Sequence, residues 1–101
     1  MPEVYVKLHR VGSDIILAAC DAELLGRRLE EGRLRLEVNT AFYGGFLASL
    51  DELAEYMGKA TIMNLVGEHA VSKAVEEGYV HPEAIIRIAG VPHAQVVSVR
   101  W

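Results

Sequence analysis

The stretch from Thr61 to Ile88 constrains the fold of this chain more than any other. Thr61 to Val66 is short, apolar and partly β-branched, and Gly67 interrupts it. Glu68 to Glu77 then carries Ala70, Val71, Ala74 and Val75, a helical stripe that Gly78 terminates. Ala84 to Ile88 is strand-like again. Strand, helix and parallel strand over 61–89, with Gly67 at the helix entry, has the form of a βαβ unit, whose crossover is normally right-handed. A helix beginning at Thr61 is the competing reading, because a short apolar run is ambiguous by periodicity alone.

The flanking segments predict hairpins at both ends. Val4, Val6 and Leu8 alternate with Tyr5, Lys7 and His9, the period of a half-buried strand. Gly12-Ser13 makes a two-residue turn, and Ile15 to Cys20 is apolar on both faces, as in a central strand. Asp21 is expected to cap a helix over about 22–31, closed by Gly32. Leu34, Leu36 and Val38 alternate with Arg33, Arg35 and Glu37 as a third strand with one wet face. Ser49-Leu50-Asp51-Glu52 has the form of a capping box that opens a helix ending near Gly58. Gln95 to Trp101 is a last strand, joined to 84–88 by a turn through Gly90 and Pro92. The fold class is α+β, or a small three-layer α/β arrangement. Its core is a mixed sheet of about five strands with helices packed on it.

At 101 residues the chain is read as one domain, 1–101. No apolar run approaches the roughly 20 residues that span a bilayer, and the N-terminus lacks the order of a signal peptide. With a single cysteine, Cys20, no internal disulfide can form, and a cytoplasmic location follows as an expectation. Net charge is −4, so the molecule as a whole does not attract nucleic acid. Arg27, Arg28, Arg33 and Arg35 cluster, but Glu30 and Glu31 dilute them, and a mixed solvated face is the favoured reading. RNA stays open as a partner without being favoured by charge.

Chemistry is sparse. There are only three side-chain amides, Asn39, Asn64 and Gln95, each inside a run of unusual residues. An amide both donates and accepts, so it can orient a neutral polar group or fix a turn. Tyr43-Gly44-Gly45, preceded by Phe42, reads either as a flexible loop with exposed aromatic flanks or as a plain turn. Gly67-Glu68 opens a helix and could bind an anion on free N–H groups; capping, with Glu68 answering the helix dipole, is favoured over that. The segment from Gly90 to Gln95 presents His93 and Gln95 beside Val91-Pro92, whose peptide bond could be cis. The four histidines show no paired metal spacing, so no metal or cofactor is expected. Cys20, in an apolar strand, reads as a buried inert thiol.

Tyr43-Gly44-Gly45, then Asn64-Leu65-Val66-Gly67-Glu68, then Ile86-Arg87-Ile88 with Gly90-Val91-Pro92-His93-Ala94-Gln95 give the chain a family likeness. From Tyr5 to about Val99 it resembles an uncharacterised archaeal family, the domain of unknown function 424. The resemblance implies an archaeal cytoplasmic protein of this length and brings no activity with it.

Two functional readings follow. The first is a binding module for a small polar ligand, a protein or an RNA end, using Asn39, Tyr43, Gly44, Gly45, Asn64, Gly67, Glu68, His93 and Gln95. The second is a small enzyme with His93 as acid–base and Glu68 or Asn64 as its partner. Binding is preferred because no nucleophile, metal set or cofactor fingerprint is visible. Oligomeric state is not legible.

Overall fold

The computed structural model describes residues 2–97. Its elements in chain order are β1 Glu3–Val11, β2 Asp14–Asp21, β3 Arg28–Glu31, β4 Leu34–Glu37, α1 Thr40–Tyr43, β5 Phe46–Ser49, α2 Leu50–Met57, β6 Ile62–Val66, α3 Glu68–Glu76, β7 Ile86–Ile88 and β8 Val91–Val97. Six strands form one mixed sheet in the order β5-β1-β2-β6-β8-β7, and β3 and β4 pair as a separate ribbon. The sheet is antiparallel except between β2 and β6, which run parallel with Ala18 opposite Asn64. The expected α+β architecture is therefore observed, with six strands in place of five.

Within the run from Thr61, Ile62–Val66 resolves as strand, and the β6–α3–β7 crossover is present. Strand β8 lies between β6 and β7 and is antiparallel to both, so β6 and β7 run in the same direction without touching. The first hairpin turns at Gly12-Ser13 as expected. Ser49 and Glu52 form the full capping box at the start of α2, each side chain bonding the other's backbone N–H.

The apolar character of β2 on both faces has its reason in two cores. On one face Val4, Val6, Leu17, Ala19, Met63 and Leu65 pack under α2 and α3, against Leu53, Met57, Ala70, Val71 and Ala74. On the other, Ala18, Cys20, Val66 and Ile88 pack under α1 and the β3–β4 ribbon, against Leu24, Leu29, Val38 and Tyr43. The ribbon is held by this apolar face. Its cross-strand pairs Arg28–Glu37 and Arg35–Glu30 stand at 3.9 Å, well exposed, where an ion pair contributes about 0–1 kcal/mol. Burying Leu29 alone is worth about 1.5–3 kcal/mol.

Several local expectations are corrected. Residues 22–31 are not a helix: a 3-10 turn, Ala22–Leu24, gives way to β3. Gly26 sits at φ +87°, a conformation that breaks a helix, and Gly32, at φ +59°, turns the β3–β4 hairpin where a helix end was expected. The strand through Leu36 therefore joins the ribbon and not the main sheet. Strand β5 and the single turn α1 were not foreseen. The last hairpin turns at Ala89-Gly90; Pro92 is inside β8, opposite Arg87, and its preceding bond is trans. The expected final strand begins at Val91, and its residues 98–101 lie outside the described residues.

Candidate functional site

Strand alternation decides which candidate residues meet. Asn64 on β6 stands directly opposite Gln95 on β8, and Val66 stands opposite His93. Side chains two apart on a strand share a face, so Asn64, His93 and Gln95 all project from the side covered by α1 and the ribbon. Tyr43 comes to the same side. It packs with Ala18 and Cys20, whose small side chains let it reach across β2, and its hydroxyl donates to Asn64 Oδ1. Tyr43 is buried (2 % exposed), which excludes the reading of this segment as a loop with exposed aromatic flanks. Burial, with Cys20 close by, pushes its phenol up, so it remains a proton donor.

His93 is also buried, at 7 % exposure, in the strand and not at the hairpin tip. Its Nδ1 lies 2.9 Å from the Leu65 carbonyl, which can only accept. Nδ1 therefore carries the hydrogen, and Nε2 is left as a lone-pair acceptor. Burial holds the ring's pKa below its usual value, partly offset by the Leu65 bond, so the neutral imidazole prevails at pH 7. Gln95 Nε2 stands 3.4 Å from His93 Nε2, a long and weak hydrogen bond.

Above His93 and Gln95 is a groove of about 460 Å³. Leu34, Arg35 and Leu36 of β4 wall one side, and Ile86 and Ile88 of β7 the other. Sequence reasoning missed these walls. Exposed Leu34 and Ile86 were the local signal, but nothing local pairs β4 with β7. The ribbon is tied down by Glu31, whose carboxylate accepts from the Ala89 N–H at 2.7 Å.

The remaining candidates lie elsewhere. Asn39 caps α1, its Oδ1 accepting from the Phe42 N–H at 2.7 Å. Gly44 and Gly45 serve close packing: a Cβ on Gly45 would strike the Val6 carbonyl, and one on Gly44 would strike Thr40. Lys7 and His9 of β1 hold the Ala41 and Phe42 carbonyls, and His9 stacks on Phe42 at 4.8 Å. Glu68 pairs with Arg87 at 2.8 Å and lines a smaller groove with Val71, Val75 and Pro92. Pro92 and His93 are successive strand residues facing opposite sides, so Glu68 and His93 are not brought together.

The N-terminus of α3 is filled from within the chain. Asp21 Oδ2 accepts from the His69 N–H at 3.0 Å, and Oδ1 from the Ala70 N–H at 2.9 Å. The Asp21 carboxylate thus occupies the place where an anion was considered, and it supplies the cap that was assigned to Glu68. Asp21 was expected to cap the segment that follows it, and makes no side-chain bond there. Burial raises its pKa, while the two N–H donors pull it back.

Cys20 is fully buried, and desolvation with Asp21 adjacent pushes its thiol up to about 12. Among the described residues no group of three or more His, Cys, Asp or Glu side chains is placed to hold a metal ion. No described helix is long and apolar enough to cross a membrane.

Fold and groove together define a small α+β protein built on a six-stranded mixed sheet, with a polar-floored groove between the sheet and a two-stranded ribbon. The chain belongs to the family described as "Protein of unknown function (DUF424)", whose profile matches residues 9–99. It is similar in structure to an uncharacterized conserved protein from the archaeon Methanopyrus kandleri, whose crystal structure aligns with a TM-score of 0.82. The two are 28% identical, over 97% of this chain and 95% of that one. No curated protein matches the chain.

Proposed function

We propose that the chain is a binding module that holds a small polar, uncharged ligand in the groove between β4 and the β7–β8 hairpin, through His93 and Gln95. The observation that carries this is the pairing of a fixed acceptor, His93 Nε2, with an exposed amide on the floor of an apolar-walled groove. Ligand sites typically combine apolar walls with a few convergent polar groups, in volumes of about 300–1,000 Å³. Asn64 stands opposite Gln95 in register, outside the groove's lining, with its oxygen engaged by Tyr43. The same arrangement supports the enzyme reading less well, because Glu68 faces the other side and Asn64 is not a base. A protein or RNA end as ligand draws less support, since Arg28 and Arg35 of the ribbon pair with glutamates and net charge is −4. The relative from Methanopyrus kandleri supports an archaeal source, and the single cysteine supports a cytoplasmic location.

Native mass spectrometry of protein purified without denaturation tests the reading. The expected result is a retained small-molecule adduct that is lost on denaturation and absent from Gln95→Trp, in which the groove is filled. An adduct equally present in Gln95→Trp would place the ligand elsewhere.

A further inference from the structure

Resting on that reading of the groove, we propose that the ligand is a free nucleoside, bound by the hydrogen-bonding edge of its base. The groove selects for neutrality. Its lining residues include no carboxylate, and their one charged group, Arg35, faces Glu30 across the ribbon. The acceptor His93 Nε2 and the donor Gln95 Nε2 stand side by side, 3.4 Å apart, too far to satisfy each other well. A group that carries a donor next to an acceptor on one edge satisfies both at once. Nucleobases have such an edge; in uracil it is the N3–H beside a ring carbonyl. An ordinary peptide amide does not, because its trans geometry points N–H and C=O to opposite sides. Leu34 and Leu36 on one wall and Ile86 and Ile88 on the other are suited to the two faces of a flat ring. Asn64, opposite Gln95 in register, is not part of this lining, and its oxygen is committed to Tyr43, so recognition falls to His93 and Gln95.

The test uses the described nitrogens directly. Uniformly ¹⁵N-labelled protein is titrated with uridine, cytidine, adenosine and guanosine, then with 3-methyluridine, which lacks the N3–H. The expected result is saturable shifts at His93 Nε2 and the Gln95 amide for at least one nucleoside. For uridine, 3-methylation should weaken binding by about tenfold, the loss of one hydrogen bond with its partner left unpaired. Gln95→Ala should do the same, and because Gln95 is exposed this variant keeps the fold where His93→Ala need not. If no nucleoside binds while neutral fragments without such an edge still shift these signals, the nucleoside assignment fails and the groove stands. If nothing binds at these residues, both fail. Oligouridylate binding more than about tenfold tighter than uridine, and falling steeply with salt, would make an RNA strand the ligand and overturn the assignment.

Discussion

The carboxylate of Asp21, at the end of β2, stands against the backbone of Gly67 and closes the N-terminus of α3. Gly67 is at φ +111°, and a Cβ there would lie 2.6 Å from both Asp21 oxygens. Position 67 is thus restricted twice, by backbone conformation and by the carboxylate that caps the helix. The contact joins residues 46 apart, and it fixes α3 onto the end of the parallel β2–β6 pair.

Gly67→Ala should therefore destabilise the protein by more than about 2 kcal/mol, since strain in a backbone region open essentially only to glycine and displacement of the cap combine. Asp21→Ala should cost about 1–3 kcal/mol by leaving the buried Ala70 N–H and the half-buried His69 N–H without their acceptor. Urea unfolding followed by circular dichroism measures both. Additive losses in the double variant would contradict the coupling between the two residues.

Tyr43→Phe should cost about 1–2 kcal/mol, because Asn64 Oδ1 loses its donor while half-buried. The loss should largely vanish in an Asn64→Ala background. A Tyr43→Phe variant as stable as the parent would show that water replaces the hydroxyl.

Stability should depend on His93 with a definite sign. Its folded pKa lies below the usual 6.5, so below that pH the unfolded chain takes up a proton that the folded chain refuses. Stability contributed by the neutral ring is present above 6.5 and is lost as pH falls through the folded pKa. Asp21 works in the opposite sense: its folded pKa is raised, so its contribution is present below 3.8 and lost as pH rises through the folded value. Comparing thermal melts of the parent and His93→Gln over the acid range isolates the histidine. The parent should lose more stability than the variant as pH drops below 6.5, and parallel curves would contradict the assignment.

Cys20 should be inert in the folded protein. With its thiol pushed up to about 12 and fully buried, a disulfide reagent at pH 8 should react only at the rate at which the chain opens. Rapid labelling of native protein would show that the second core is not closed over it.

What the sequence made legible was local. The Ser49–Glu52 capping box, the strand Ile62–Val66, the stripe of α3 and the two-faced character of β2 all follow from spacing within one element. What it hid was carried between elements. Asp21 looked like a cap for the next residues because a cap signal does not say which helix it serves. Residues 22–31 looked helical because Asp21 and Gly32 read as its start and end signals, while the positive φ of Gly26 and Gly32 only becomes visible in the hairpin. Asn64 and Gln95 could be singled out by composition, but their register is set by the antiparallel pairing of β6 with β8. The groove walls from β4 and β7 depend on the ribbon folding back, with Glu31 reaching the Ala89 N–H.

The most direct test of the binding module is a ¹H–¹⁵N titration of the chain with small neutral polar fragments, run beside Gln95→Trp. The parent should show saturable shifts confined to Leu34, Leu36, Ile86, Ile88, His93 and Gln95, and Gln95→Trp should lose them at an unchanged melting temperature. Saturable shifts centred on any other surface, or none at these residues, would contradict the account.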